Sequence, residues 1–503
     1  YQTATDRITN PLIRNAAGQL VAASWPEALA AAAEGLTKGR AAVLVGGRAT
    51  VEDAYGYSKF ARVTLGTNDI DFRSRVISDE ERAFLAAHVV SNQTTYVDID
   101  KADHVVLVGF EPEEESPIVF LRIFKQVRKR ALKVTAIASK KSIGNEKLKS
   151  NFVCVAPGSE AQALAAVEMT DKTVLIVGER AAESAGVLTT VSELVKRTNA
   201  KLAWIPRRAG ERGALVAGAI GNLLPGGRPV SDAAARVDIS TAWSVHGLPT
   251  DRGLNTNEIY AAAKNGEIKS LVVGGVDPLD GTNIGDALAA LDKAFVVSLE
   301  MRPSSVTDRA NVVLPIATVA EKSGSFLNWE GHARSFDVAI EDSLLRSDVR
   351  ILSMLADEMG RPIGLPTVAS AAREFAAIGN WDGAAIEFSG VSDNTRQNVS
   401  GDQALLTSWR RLLDAGSLQD GEANLAGTAR KSVAVISAKR AQALNVKDGD
   451  LLKISNEAGA IVLPALIEEI HDDAVWAPRN SAGSELLQTL ATASNSVVTV
   501  VKA

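Results

Sequence analysis

The chain has 503 residues, 46% apolar and 23% charged, with 54 basic against 60 acidic side chains and a formal charge of −6. That balance belongs to an ordinary globular protein and gives no sign of a nucleic-acid footprint, and the length suggests roughly three domains. No apolar run approaches the roughly 20 residues needed to cross a bilayer, so any membrane association is expected to run through other proteins.

The first residues, Tyr1 to Asp6, are polar and carry neither a secretory signal nor an initiator methionine. The expectation is the C-terminal part of a longer polypeptide. Ser24 and Glu27 have capping-box spacing ahead of an alanine-rich run, which predicts a helix through 28–36. Short β-rich runs follow at 42–45, 105–108, 134–137, 174–177, 271–273 and 295–298, alternating with helical patterns. This alternation predicts an α/β architecture with parallel sheets. Gly46, Gly109, Gly178 and Gly274 close several of these runs, where a glycine lets the chain turn sharply at the ligand-binding end of a strand.

Ser116 as N-cap with Pro117 at the first position predicts a further helix, with Ile118, Leu121 and Val127 facing a sheet. Residues 207–237 are rich in Gly, Arg and Ala and read as a long irregular connection. Residues 386–402 are polar and aperiodic and read as the boundary before the last domain. From Ser432 short strands alternate, with turns at Asp448-Gly449 and Ala458-Gly459, which predicts a β-barrel of about 90 residues.

Metal chemistry has little to work with. Cys154 is the only cysteine, so no disulfide forms within the chain and no ordinary iron–sulfur cluster can be ligated by it. In its strand context it reads as a small buried hydrophobe. The five histidines, His88, His104, His246, His332 and His471, show no metal-ligand spacing. Pro225-Gly226-Gly227-Arg228 lacks the spacing of a phosphate loop. The cations Lys125, Arg128, Lys129, Arg130 and Lys133 read as a solvated helix face, and Trp243, Trp329 and Trp476 as core or interface anchors.

Residues 66–77, G-T-N-D-I-D-F-R-S-R-V-I, resemble the signature loop of molybdopterin-dependent oxidoreductases. Ile77 stands where catalytic members place a metal ligand, and it has no lone pair to donate. The resemblance continues in order along the chain. It runs from Asp6–Arg14 and Ser24–Leu29 to Gly109-Phe110-Glu111-Pro112 with Ser116-Pro117, then Gly274-Gly275-Val276-Asp277-Pro278. It goes on through Asn311–Pro315, Glu321–Phe326, Asn328–Gly331, the 444–454 segment and Trp476-Ala477-Pro478. Arg334 keeps a basic position of the family, whereas His332 departs from the usual arginine. Within the superfamily, Asp71-Phe72-Arg73-Ser74-Arg75 and the 109–117 run resemble bacterial, actinobacterial-like, NuoG-type subunits of respiratory complex I, the NADH:quinone oxidoreductase.

The resemblance implies two parallel-sheet α/β domains, one inserted in the other, and a C-terminal β-barrel like those that hold a pterin dinucleotide. The implied boundaries are an entry segment at 1–32, one α/β domain at 33–72 with 250–385, an inserted one at 73–249, and a barrel at 410–503. It implies a cofactor-free scaffold in the peripheral arm at the cytoplasmic face of a bacterial inner membrane. That scaffold supports electron transfer from NADH to quinone through iron–sulfur clusters held upstream and in partners. The implied partners are the flavin- and NADH-binding and iron–sulfur subunits. No catalytic, cofactor-binding or metal residue is assigned. Ser74 and Ser78 are the only hydroxyls near Ile77 that could replace the ligand; their other reading is backbone satisfaction in a turn. Glu111, Glu113, Glu114 and Glu115 crowd a helix start that would otherwise suit phosphate, and they are expected to repel a pyrophosphate. They read as an acidic first turn, or as a surface meeting Arg or Lys of a neighbouring subunit. The opposing functions are a working molybdenum or tungsten oxidoreductase such as formate dehydrogenase, and a pterin- or nucleotide-binding module without redox chemistry.

Overall fold

A computed structural model describes every residue except 1–5, 385, 392–396 and 420. The chain divides into two units. The first takes in the residues through Arg75, then Leu85–Ser91 and Arg208–Glu387. Its centre is a seven-stranded sheet in the order Leu20–Ala22, Leu12–Arg14, Val312–Pro315, Phe295–Glu300, Ser270–Gly274, Ala41–Val45, Ile70–Asp71. The last five run parallel, and all residues of Ala41–Val45 and Ser270–Gly274 are buried. Helices therefore cover both faces, as continuous Val/Leu runs require of a parallel strand. The expected entry segment joins this sheet, with Leu12 and Ile13 antiparallel to Val313 and Val312. The Ser24–Glu27 capping box forms and starts the helix Trp25–Leu36, whose Ala28, Leu29, Ala32 and Leu36 are buried.

Residues 207–237 depart from the irregular connection read from their composition. They hold the helix Glu211–Val216, the paired strands Leu223–Leu224 and Arg228–Pro229, and the start of the helix Ala233–Trp243. From Glu211 to Val230 nearly every residue is buried. The small residues permit this, since a Cβ on Gly213 would come 2.9 Å from Val51 and one on Gly221 2.9 Å from the backbone of Gly253. Glycine here serves close packing.

The second unit takes in Val76–Phe84, Asn92–Arg207 and the residues from Phe388 onward. It has an all-parallel sheet in the order Asn151–Cys154, Lys133–Ala138, His104–Val108, Thr173–Gly178, Lys201–Ile205. It also has a closed six-stranded barrel whose core includes Leu406, Ile436, Leu452, Ile454, Val475 and Val498. The barrel begins with Gln403–Thr407, ahead of the expected 410, because that strand is needed to bridge Ala474–Trp476 and Val497–Lys502. The expected boundary at 386–402 falls partly outside the described residues; Phe388 packs edge-on against Phe84 at 6.0 Å.

Several side chains sit differently from expectation. The helix Pro117–Arg130 buries Val119, Phe120, Ile123 and Gln126, while Ile118 and Leu121 are exposed. Ser116 caps it without a side-chain hydrogen bond. Cys154 is exposed, because Asn151–Cys154 is an edge strand with a neighbour on one side only.

The strand-end glycines also have a different reason from the one expected. Only Gly109 adopts a left-handed conformation, at φ 58°. A Cβ on Gly46 would lie 2.1 Å from the carbonyl oxygen of Gly275, and one on Gly178 would lie 2.4 Å from that of Gly109. Neither partner is a side chain that could swing away. Gly46→Ala is therefore expected to destabilise the protein by about 1–3 kcal/mol, read as a lower urea midpoint at unchanged m-value. An unchanged midpoint would show that the backbones separate freely there.

Candidate functional site

In an open α/β sheet, ligands bind outside the carboxyl ends of the strands where strand order reverses. In the first unit that point lies between Ala41–Val45 and Ser270–Gly274, since the chain passes from the former outward to Ile70–Asp71 and later to the other side. Gly46 N–H donates to the Gly274 carbonyl at 2.7 Å, so the two departing backbones already touch. Gly210 N–H donates to Gly47 O at 2.9 Å, which lays the 208–211 segment over the strand end. The Arg208 stem would meet a Cβ on Gly47 at 2.4 Å.

An ion-paired cluster fills the opening. Glu211, fully buried, accepts from Arg75 Nε at 3.0 Å and from Arg208 Nη1 at 3.3 Å. Arg208 Nη2 reaches across to Asp280 Oδ2 at 2.8 Å, in the turn that follows Ser270–Gly274. Beside it Arg73 forks onto Asp71, with Nε to Oδ1 at 3.0 Å and Nη2 to Oδ2 at 2.9 Å, and the backbone N–H groups of Arg73 and Thr256 also donate to it. Burial opposes the Asp71 charge, but Arg73 outweighs it and holds this carboxyl below the usual range. The space left here is about 10 Å³, lined by Ser74, Arg75, Thr256, Tyr260, Asp277 and Asn283. That is room for about one water.

The second unit repeats the arrangement. Strand order reverses between His104–Val108 and Thr173–Gly178, and Gly109 and Gly178 bring the departing backbones together. Arg180 spans that point to Glu115, with Nε to Oε1 at 2.6 Å. Arg479 from the barrel forks onto Glu183 at 2.7 Å for both nitrogens, and Asn495 Nδ2 donates to Glu183 O at 2.7 Å. The barrel is thereby clamped to the ligand-binding end of the sheet.

The acidic turn is built differently from the sequence expectation. Glu113 pairs with Lys147, Glu114 with Arg430 and Glu115 with Arg180, all cations of this same chain. Glu111 Oε2 accepts from Glu114 N–H at 2.6 Å, Glu115 Oε2 from Glu111 N–H at 2.6 Å, and Ser142 donates to Glu111 at 2.7 Å. Burial pushes the Glu111 carboxyl up to about 7. Two backbone donors of the turn, the N–H groups of Glu111 and Glu114, are thus taken by its own carboxylates. The cations that meet these carboxylates come from within the unit, so no neighbouring subunit is needed.

The remaining predicted positions scatter. Ile77 is half-buried, and Ser78 Oγ accepts from Glu81 N–H at 3.2 Å as a helix-start cap. Ser74 is buried at the small cavity. Arg334 and His332 are exposed on and beside the hairpin strand Ala333–Phe336. Trp243 is buried and donates to Tyr55 at 2.7 Å, and Trp476 packs on Trp409 with centroids 4.8 Å apart. Of the basic cluster, Arg130 is not a free solvated charge, since it donates to Ala102 O at 2.6 Å and Gln126 at 3.1 Å. Sequence reasoning missed Arg208, Glu211, Asp280, Arg180, Glu183 and Arg479. Buried charges of this kind look like surface charges until their partners are seen. The one available signal was position, since Asp280 and Arg180 follow strand-end glycines.

The molybdopterin oxidoreductase family model matches residues 7–358, and that of the dinucleotide-binding domain matches 406–501. The G subunit of NADH-quinone oxidoreductase from Mycobacterium bovis is 46% identical over 99% of this chain and 64% of its own length. Its namesake from Streptomyces coelicolor is 46% identical over 96% of this chain and 62% of its own. Formate dehydrogenase H of Escherichia coli is 26% identical over 72% of the chain and 61% of its own length. The chain thus spans a little under two thirds of the curated relatives it matches. Among solved structures, acetylene hydratase from Pelobacter acetylenicus shares the fold, with a TM-score of 0.63 at 13% identity over 95% of this chain and 85% of its own. With a family match that covers residues 7–358, well over half of its length and running through both sheets, this chain belongs to the molybdopterin oxidoreductase family.

Proposed function

We propose that this chain is part of the G subunit of a bacterial NADH:quinone oxidoreductase, working in its peripheral arm as a scaffold without a cofactor of its own. The observation that carries this reading is the 46% identity over 99% of the chain to the Mycobacterium bovis G subunit. The formate dehydrogenase relative matches less of the chain at 26%. Iron–sulfur clusters upstream and in partner subunits move the electrons. The partners are the flavin- and NADH-binding and iron–sulfur subunits, and the site is the cytoplasmic face of the inner membrane. No helix among the described residues is long and apolar enough to cross a membrane, which fits attachment through the assembly.

The residues present do not fit a metal–pterin group. Ile77 offers no donor atom, and a cavity of about 10 Å³ lies where the sheet would seat a ligand. A small-molecule site ordinarily takes about 300–1,000 Å³. What the chain's own residues do is hold shape: Glu211, Arg75, Arg208 and Asp280 fasten one switch point, and Arg180, Glu115, Glu183 and Arg479 the other. Electron tunnelling falls steeply with distance, so a rigid support for cluster-bearing partners is itself functional.

Two measurements test this. The tagged full-length protein, purified from membranes, is expected to bring down NADH:quinone reductase activity and to contain no stoichiometric molybdenum, tungsten or released pterin. Stoichiometric metal with formate oxidation in the isolated chain would overturn the proposal. Glu211→Ala leaves Arg75 and Arg208 buried without their shared carboxylate and is expected to cost about 3–5 kcal/mol of stability, read by urea unfolding. A loss under about 1 kcal/mol, the scale of an exposed pair, would mean that water reaches this cluster and the cleft is open.

A further inference from the structure

The helix Pro117–Arg130 carries a surface that its own fold does not use. Ile118 is 64% exposed and Leu121 54% exposed, while the opposite face buries Val119, Phe120 and Ile123. Lys125, Arg128 and Lys129 continue the same stripe at four, seven and eight residues from Leu121, so aliphatic and cationic side chains share one face. Among the described residues none of these three cations pairs with a carboxylate; Arg128 lies over the Phe124 ring at 5.7 Å. The flanking helix Tyr96–Lys101, tied in through Gln126 to Asp100 at 2.7 Å, exposes Val97 at 51%.

The helix dipole accounts for cations in the last turn. It does not account for two large aliphatics in the first two turns of a helix that had core positions to offer. The neighbouring acidic turn makes the contrast sharper. There each of Glu113, Glu114 and Glu115 has a cation within the chain, whereas the cations of this stripe are left for something else. The geometry points to a docking surface for a protein partner that places apolar side chains on Ile118 and Leu121 and carboxylates on Lys125, Arg128 and Lys129. A lipid surface fits less well. A helix lying in the interface sinks a wide apolar face about 5–10 Å deep, and here the wide apolar face is already in the core.

The test uses a photo-cross-linking amino acid at position 121 of the full-length protein in intact cells, with the linked peptides sequenced. The expected result is one dominant polypeptide, linked through a segment that combines carboxylates with aliphatic or aromatic residues. The triple variant K125E/R128E/K129E should lower that yield about tenfold, the scale of charged interfacial contacts. It should leave cross-linking from an unrelated surface position unchanged, with an unaltered circular-dichroism melt showing that the variant folds. Scattered products, links to lipid, links to a second copy of the chain, or a yield indifferent to the three substitutions would each overturn the inference. The inference stands apart from the assembly proposed above. A specific acidic partner foreign to the respiratory assembly would sink that assignment and keep this surface. Co-purification with the reductase but scattered cross-links would do the reverse.

Discussion

The carboxylate of Glu211, shared between Arg75 and Arg208, is the interaction on which the first unit turns. All three side chains are withdrawn from water, so none tolerates the loss of its partners. The cluster forms only if the 208–211 segment lies across the strand ends, and that in turn requires Gly47 to leave space for the Arg208 stem. Arg208 then reaches Asp280 and ties the strand Ala41–Val45 to Ser270–Gly274 at their carboxyl ends. A buried pair of this kind adds little net stability over an apolar filling, yet it fixes one arrangement, because any displaced arrangement strands a charge. Here it fixes the position of a long segment with little apolar side-chain volume of its own.

The second unit reaches the same end by the same means. Its strand-end glycines bring backbones into contact, an arginine crosses to a carboxylate, and a second arginine from the barrel closes the end of the sheet. A cleft that binds an anionic cofactor must keep donors unmatched until the ligand arrives. In this chain several donors are matched internally: Glu111 and Glu115 occupy N–H groups of the turn before Pro117–Arg130, and Glu183 occupies the Arg479 fork, while Arg479 Nε and Trp476 Nε1 lie buried without a hydrogen-bond partner among the described residues. In the scaffold proposed above, these pairs make a structural joint of each switch point. Both joints also shield their charges from salt, since buried pairs are screened far less than exposed ones.

Much of this was legible in the chain. The six strands expected from β-rich runs all form, within one or two residues of their expected ends, because each is a short apolar run with no competing helical period. The Ser24–Glu27 cap is a local interaction and needs no tertiary information. What escaped was non-local. Gly, Arg and Ala between 207 and 230 have the composition of a loop, and only the approach of Val51 and Gly253 explains why small residues are wanted there. Helical periodicity named Ile118 and Leu121 as sheet-facing, but it cannot say which of two apolar stripes is buried; in the fold it is Val119, Phe120 and Ile123. The acids of 111–115 were read by their charge, when their neutralising cations lie at Lys147, Arg180 and Arg430, tens to hundreds of residues away.

A scaffold of the kind proposed for this chain is constrained in two ways. Inside, each switch point must be closed by something that cannot drift, and ion pairs at fixed hydrogen-bond geometry do this better than interchangeable aliphatic contacts, since arginine forks accept few orientations. Outside, some surface must remain unsatisfied, for a protein whose every group is matched has no reason to associate. The stripe of Ile118, Leu121, Lys125, Arg128 and Lys129 offers such a surface. It lies on a helix whose preceding turn is heavily self-paired, so the rigid part of the element holds the reactive part in position. The ion pairs of that preceding turn thus also stiffen the platform on which a partner would land.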